Sequence, residues 1–306
     1  MSNTQVIEQA TVFPDIDYKE RLDSLVGIDD QKEKLYKILD LLVNPSGLKS
    51  WAKTNHPNST KVINNILRRP PLVVLEGDVG SGKTELATTI GDLLARNNKI
   101  DVTLLPLSLS SRGEGRVGEM TKLISSAFDY TVSEARKLIK DDDKVKGAII
   151  LLVDEADALA QSRENDQMHH EDKAGVNAFI RGIDLIANSK IPAAVIMCTN
   201  RLNSLDPAVK RRAAEILSFS RPDETQRKSV LLPLLSELGI DEKSVDEIVR
   251  ITGSNNIRNH GFTFSDLIQR LIPSIVLNAY PQKAVTPIDA IAIANDLIPT
   301  PPFTDK

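Results

Sequence analysis

The chain has 306 residues, of which 26% are charged, with a formal net charge of −4 at pH 7 and a sequence pI of about 5.7. This length is enough for about two domains, and the acidic balance gives no overall positive field that would attract nucleic acid. The single cysteine, Cys198, excludes an internal disulfide framework, and the lack of a signal pattern or of a membrane-length apolar run predicts a cytoplasmic protein with no membrane partner.

The first half of the chain is predicted to alternate strands with helices. Residues 1–24 are expected to form an irregular lead-in, and Asp29 or Asp30 can cap a helix in the segment that follows. Five short apolar runs then alternate with helical segments, at 72–75, 102–107, 148–153, 193–198 and 215–219. This order predicts an α/β fold, with a five-stranded parallel sheet and helices on both faces.

The last third of the chain contains no further strand-like run and is predicted to be helical. Asp223 can cap one helix, Ser244 and Glu247 fit a capping box for the next, and Thr286 precedes a proline at the first position of another. The predicted division is a lead-in at 1–24, a large α/β domain at 25–220 and a small all-helical domain at 221–306.

The stretch LVVLEGDVGSGKTEL joins a predicted strand to a predicted helix, and Gly77, Gly82, Lys83 and Thr84 within it fit the phosphate-loop pattern. Glycines let backbone N–H groups turn toward phosphate oxygens, the lysine reaches the β- and γ-phosphates, and the threonine hydroxyl binds Mg²⁺. Asp78 is an acid in a loop built for phosphate, so its side chain is expected to point away. The predicted loop contacts are Gly77, Asp78, Val79, Gly80, Ser81, Gly82, Lys83, Thr84 and Glu85.

Polar residues follow two later predicted strands. In AIILLVDEADAL, Asp154 is suited to holding the water shell of Mg²⁺, and Glu155 is suited to polarising a water for attack on the γ-phosphate. Asn200, after the fourth strand, can orient that water. Arg211 and Arg212 carry planar donor forks that suit phosphate, but taken alone they also fit an exposed basic pair.

Taken in order, the phosphate loop, LLVDEAD, TNRLNSLDPAVKRR and the final helices resemble the AAA clade of the AAA+ ATPases over roughly residues 20–300. The resemblance implies ATP and Mg²⁺ as ligands, a helical lid and a homo-hexameric ring. It also implies a role for each motif residue: Lys83 and Thr84 in the phosphate loop, Asp154 and Glu155 in the second Walker motif, Asn200 as sensor one, and Arg211 and Arg212 as fingers that act on a neighbouring subunit.

Three further segments are interpreted through the same resemblance. LVGIDD matches the segment that flanks adenine, which makes Val26, Gly27 and Ile28 candidate base contacts. Ser265 stands near the position where some relatives carry a sensor-two arginine, so no such arginine is assigned, and Arg270 is the one other candidate considered. GEGRVGEM occupies the place of the first pore loop, where the usual aromatic is replaced and the predicted substrate contacts are Arg116, Val117 and Gly118.

Within the clade, the chain is most similar to the HORMA-domain-remodelling, pachytene-checkpoint family. The features that carry this similarity are Arg212-Ala213, the segment DKAGVNAFIRGID and the compact lid. Short bacterial members belong to antiphage operons that signal through cyclic oligonucleotides. The resemblance implies a ring that opens a HORMA-domain protein, which in such operons activates a nucleotidyltransferase, and so restrains the response.

Two alternatives remain at this point. One is a different protein remodeller of the same clade, such as an unfoldase that feeds a protease. The other is a nucleic-acid motor or loader, for which Arg112 and Arg116 could face phosphates. The acidic pI and the lack of a basic domain weigh against the second alternative.

Overall fold

The computed structural model describes residues 9–107, 119–140, 145–156, 170–201, 205–254 and 258–303. Within them the centre is a six-stranded sheet in the order β1-β3-β4-β5-β2-β6. The strands are β1 Thr11–Phe13, β2 Leu72–Gly77, β3 Asp101–Leu107, β4 Gly147–Val153, β5 Ala193–Thr199 and β6 Ala213–Phe219. The pairs β3–β4, β4–β5 and β5–β2 are parallel, and β1 lies antiparallel to β3 at one edge. The predicted α/β class is confirmed.

All five predicted strands are present, but the sheet has a sixth strand, and the prediction of an irregular lead-in over 1–24 is wrong where the structure describes this part. Thr11–Phe13 forms β1, and helix α1 follows over Ile16–Ser24. Phe13 is fully buried, and a Cβ on Gly91 of helix α5 (Lys83–Asn98) would lie 2.4 Å from its ring. A strand of three residues with one buried side chain is too short to show the alternation that identifies strands in a sequence.

The core of the α/β part covers both faces of the sheet. Every residue of β4 and β5 is buried, and successive side chains of a strand point to opposite faces. On one face the core continues into α6 (Glu119–Lys137) and α7 (His170–Ser189), where Phe128 meets Phe179 edge-on with ring centroids 5.6 Å apart. Among the residues that the structure describes, the remaining helices before β6 are α2 Asp29–Val43, α3 Pro45–Asn55, α4 Thr60–Ile66 and α8 Pro207–Lys210.

The chain divides into two compact units, each built from three separate stretches of the sequence. The first comprises the residues before Asp23 together with Asp30–Glu76 and Thr84–Ser218. The second comprises Asp23–Asp29, Gly77–Lys83 and the residues from Phe219 onward. The phosphate-loop segment therefore groups with the carboxyl-terminal helices.

Those helices are α9 Glu224–Glu237, α10 Glu242–Ile251, a π-helical turn Asp266–Leu271 that continues into α11 Ile272–Ala279, and α12 Pro287–Asp296. Asp223 and Gln226 form a reciprocal capping box at α9, and the Thr286 hydroxyl caps α12, both at the predicted caps. The prediction of a cap at Ser244 is wrong, because Asp241 accepts from the Ser244 N–H and α10 begins three residues earlier than that cap would allow. Within the described ranges, none of the helices combines the length and the apolar composition that a membrane span requires.

Candidate nucleotide-binding residues

The phosphate loop of the second unit contains glycines with positive φ angles. Other residue types adopt such a backbone conformation only with strain. Gly77 ends β2 with a φ of 146°, and a Cβ there would lie 2.0 Å from the carbonyl oxygen of Phe219. Gly80 has a φ of 72°, and its Cβ would lie 2.8 Å from Thr263 Oγ1. Both positions combine a left-handed backbone with a close neighbour, so only glycine fits them.

Lys83 lies inside the curve of this loop. It is only 6% exposed, and its ammonium donates to the carbonyl oxygens of Gly77 and Asp78 at 2.9 and 2.7 Å. A third contact joins it to Ser81 Oγ at 3.3 Å. The loop therefore holds a largely buried cation at the start of α5, where the helix N-terminus also favours an anion.

The acid in the loop, Asp78, forms an ion pair with Arg221, which lies 143 residues away in the sequence. Arg221 donates from Nε to Asp78 Oδ2 at 2.7 Å, and the Val79 N–H donates to Asp78 Oδ1 at 2.9 Å. The two side chains are 14% and 17% exposed. The carboxylate that would repel phosphate is thus paired with a cation of the same unit.

The three candidate base contacts, which belong to the second unit, differ in burial and in contacts. Ile28 is buried, and Gly27 has a φ of 84° with its carbonyl accepting from Gln226 Nε2 at 2.5 Å. Val26 is exposed. Ser265 donates its N–H to the carbonyl oxygen of Gly80 at 3.1 Å, which connects the candidate sensor-two position directly to the phosphate loop.

The alternative sensor-two residue, Arg270, is engaged elsewhere. Its Nη1 donates to Asp266 Oδ1 at 2.6 Å, and Asp266 has no exposed surface. Burial alone would raise the pKa of Asp266, but hydrogen bonds from Thr263, Thr300 and Arg270 outweigh burial and hold the pKa below its ordinary value.

In the first unit, Thr84 and Asp154 present oxygen atoms to each other. Thr84 lies in the first turn of α5, and Asp154 directly follows β4. The Thr84 hydroxyl donates to Asp154 Oδ1 at 3.2 Å. Hydroxyl and carboxylate oxygens are the ligands that Mg²⁺ prefers, and a magnesium ion commonly keeps several waters beside them. The pair therefore fits the predicted metal.

Glu155 and Asn200 follow neighbouring parallel strands, and the pairing of Val153 with Met197 brings them to the same edge of the sheet. Glu155 has a φ of 50°, in the left-handed region that costs a non-glycine residue energy. That backbone is held on both sides, by the Glu155 N–H to Asp154 Oδ1 at 2.9 Å and by the Ala156 N–H to the Cys198 carbonyl at 3.1 Å. The side chain of Glu155 is therefore exposed on a strained backbone that hydrogen bonds hold in place.

Among the remaining predicted residues of the first unit, Glu85 and Arg212 form ion pairs and Arg211 is exposed. Glu85 is bound by Arg21 through two hydrogen bonds, at 2.7 and 2.9 Å, so its side chain serves α1. Arg212 makes a similar fork to Asp184 of α7 at 2.7 and 2.9 Å, whereas Arg211 is exposed. Arg116, Val117 and Gly118 lie outside the described residues.

Comparison with known proteins decides the family. Residues 73–221 match the family described as ATPase family associated with various cellular activities (AAA). The chain is also 60% identical, over 302 residues, to CD-NTase-associated protein 6 of Escherichia coli (strain MS 115-1), which covers 99% of this chain and 97% of that protein. The chain belongs to the AAA family of ATPases. Nucleotide binding follows from that membership.

Solved structures place this AAA ATPase among Trip13-like proteins. A chain of the E. coli MS115-1 HORMA:CdnC:Trip13 complex is 60% identical to it, with 99% of both chains covered and a TM-score of 0.94. Rhizobiales Trip13 is 53% identical, covers 97% of this chain and 100% of its own, and gives a TM-score of 0.77. The family predicted from the sequence motifs is confirmed.

Sequence reasoning missed three residues that pair with candidate site residues, namely Arg221, Arg21 and Asp184. Each partners a predicted site residue from far along the chain: Arg221 lies 143 residues from Asp78. The acid in the phosphate loop was itself the signal for Arg221, because a charge in such a place calls for a countercharge. Nothing in the sequence indicated which arginine supplies it.

Proposed function

We propose that this chain is an ATP-driven ring ATPase that opens a HORMA-domain protein and separates it from a nucleotidyltransferase, thereby restraining cyclic-oligonucleotide antiphage signalling. The observation that carries the proposal is the near full-length likeness to CD-NTase-associated protein 6 and to the Trip13 chain solved with HORMA and CdnC. We further propose that the ring is a hexamer and that it works in the cytoplasm.

The described residues support a defined division of labour in ATP hydrolysis. The loop Gly77–Lys83 would receive the phosphates through its N–H groups and the Lys83 ammonium, which would exchange loop carbonyls for phosphate oxygens. Thr84 and Asp154 would hold Mg²⁺, which supplies neutralisation of charge on the β- and γ-phosphates when it is bound.

Glu155 would accept the proton of the attacking water, and Asn200 would orient that water. Arg211 and Arg212 would act on the nucleotide of a neighbouring subunit, where an arginine stabilises the charge that develops during transfer. In the same scheme Arg116, Val117 and Gly118 would contact the protein substrate in the pore, and Val26, Gly27 and Ile28 would flank adenine.

The first test separates chemistry from binding. Glu155→Gln removes the base and leaves Thr84 and Asp154 in place, so ATP should bind as before while turnover falls about 10²- to 10⁴-fold. Lys83→Ala should weaken ATP binding itself. Glu33→Gln is a matched control, because this exposed acid pairs only with Lys37 on its own helix among the described residues. Wild-type turnover by Glu155→Gln would refute the role of Glu155.

The second test addresses the substrate. Wild-type protein with ATP should release a purified HORMA protein from its nucleotidyltransferase partner, and Glu155→Gln should leave that complex intact. Release is read by size-exclusion chromatography, together with cyclic-oligonucleotide synthesis. If the wild-type protein hydrolyses ATP and the complex persists, the ATPase assignment stands and the HORMA assignment fails, which would favour another remodelling ATPase of the clade.

A further inference from the structure

A chain of polar contacts joins the phosphate loop to the carboxyl-terminal segment 298–303 within the second unit. Arg221 is its centre: Nε donates to Asp78 Oδ2 at 2.7 Å, Nη1 to the Gly261 carbonyl at 2.5 Å and Nη2 to the Thr300 carbonyl at 2.8 Å. The Phe303 N–H donates to the other Asp78 oxygen at 3.2 Å. Each nitrogen of the guanidinium therefore has an acceptor, and both carboxylate oxygens of Asp78 are occupied.

Thr300 is itself fixed by a fully buried carboxylate. Its N–H donates to Asp266 Oδ2 at 3.0 Å and its hydroxyl to Oδ1 at 2.7 Å. Asp266 also accepts from the Thr263 N–H at 3.0 Å. Because unmatched buried polar groups are costly, these contacts hold Thr300 in one place and so give Arg221 a rigid support.

The same network reaches the phosphate loop at a second point. Thr263 lies two residues before Ser265, which donates its N–H to the Gly80 carbonyl at 3.1 Å. The loop is therefore held at Asp78 through Arg221 and at Gly80 through Ser265. Gly80 has a left-handed backbone, and the loop turns there. The hydrogen bond from Ser265 therefore holds the loop at its turn.

We propose that Asp78, Arg221 and Thr300 form a latch that holds the phosphate loop in its binding shape before the nucleotide arrives. Asp78 is then a positioning residue that acts through the loop backbone. The inference rests on the proposed function only in that this loop binds ATP. A loop ordered in advance binds more tightly, because it loses less conformational freedom on binding.

The latch and simple electrostatics predict opposite signs for one substitution. If Asp78 acted only as a negative charge beside the phosphates, Asp78→Asn would remove repulsion and tighten ATP binding. If Asp78 is part of the latch, the amide leaves Arg221 without its anionic acceptor, the loop loosens and ATP binding weakens. Arg221→Lys keeps the charge and loses the fork, so the latch predicts weaker binding for this variant as well.

The test measures the dissociation constant of a fluorescent ATP analogue for Asp78→Asn, Arg221→Gln and the double variant. We expect about tenfold weaker binding for each single variant and, because both break one interaction, about tenfold rather than about a hundredfold for the double variant. Because the latch acts on binding, the loss of ATP affinity should exceed any loss of turnover at saturating ATP, which separates positioning from chemistry. Lys228→Gln is the control, because it breaks ion pairs with Glu242 and Asp246 in the same unit without contacting the loop.

A second measurement needs no nucleotide. Hydrogen exchange of the loop amides 77–83 in the nucleotide-free protein should be faster in Asp78→Asn than in the wild type and unchanged in Lys228→Gln. Tighter or equal ATP binding by Asp78→Asn, additive effects in the double variant, or unchanged exchange would each overturn the latch. A wild-type protein that fails to bind the analogue would instead refute the proposed function. Should Asp78→Asn not fold, Arg221→Lys supports the latch if its binding weakens and overturns it if its binding is unchanged.

Discussion

Single buried charges in the described residues are surrounded by matching donors and acceptors. Asp92 is 1% exposed and accepts from the Asp15 N–H at 2.8 Å and from Arg96 Nε at 2.6 Å. Arg227 is 8% exposed and donates to the carbonyl oxygens of Val249 and Pro222, while burial lowers its pKa. A charge left unpaired in such surroundings would destabilise the fold.

The buried carboxylate of Asp266 is expected to make the stability of the fold depend on pH. Its folded pKa is depressed, so its ionisation stabilises the fold above the unfolded value of about 3.9 and that contribution is lost as pH falls through the folded pKa. Asp266→Asn removes this titration. The free energy of unfolding, measured by urea denaturation from pH 6 to pH 2.5, should therefore fall less steeply below about pH 4 in the variant. Equal slopes for the two proteins would contradict the assignment.

The site residues that could be predicted from the sequence are those whose chemistry is local. Lys83 and Thr84 are recognisable because the phosphate loop is one uninterrupted stretch, and Asp154 and Glu155 because they end one apolar strand. The ion pairs of Asp78 with Arg221 and of Arg212 with Asp184 join residues 143 and 28 positions apart. A single sequence carries no signal for such pairings.

Among the elements, β1 contributes more to the core than its length suggests. It pairs with β3 through three residues, and Phe13 at its end is fully buried beside Gly91. Helix α1 follows directly, and its Tyr18 ring meets Phe13 edge-on at 5.1 Å. The strand is thus anchored by one aromatic side chain.

Substitution of adjacent residues of β1 tests this anchoring. Phe13→Ala removes a fully buried ring and should lower the free energy of unfolding by about 3–5 kcal/mol. Val12 is 57% exposed on the opposite side of the strand, so Val12→Ala should change the free energy by no more than about 0.5 kcal/mol. Denaturant titration of both variants compares them directly. Similar losses for the two, or none for Phe13→Ala, would show that β1 does not depend on this ring.

Element boundaries were predictable where a cap is marked in the sequence. The caps at Asp223 and Thr286 were predicted because a capping residue precedes a clear helical start. For α10, Ser244 and Glu247 fit the capping-box pattern and predict a cap at Ser244, yet Asp241 takes that role and Ser244 donates to it. Two capping candidates three residues apart compete, and the choice depends on where the preceding turn ends, which the sequence does not specify.

At the scale of the whole molecule, the two candidate finger residues differ in what they do within one chain. Arg212 is held by Asp184 and also donates to the Ala208 carbonyl at 3.1 Å. The Arg211 side chain is exposed and makes no hydrogen bond or ion pair among the described residues. In the proposed ring, an arginine displayed in this way would be available to the nucleotide of a neighbouring subunit, while Asp184 holds the side chain of Arg212 beside it.

Mixed rings test whether Arg211 acts between subunits. Arg211→Ala and Glu155→Gln chains should each be nearly inactive alone, because one lacks the finger and the other lacks the base. In a ring assembled from equal amounts of both, about a quarter of the interfaces join an intact Glu155 to an intact Arg211 of the next subunit, so part of the ATPase activity should return.

Mixing Lys83→Ala with Glu155→Gln chains is the control, because both residues serve the nucleotide of their own subunit. No interface in that mixture restores a complete site, so we expect no recovery. Recovery in the first mixture and not in the second would place Arg211 across the interface. Full activity of Arg211→Ala alone, or of a monomeric wild-type protein, would exclude that role, as would mixed rings of verified composition that remain inactive.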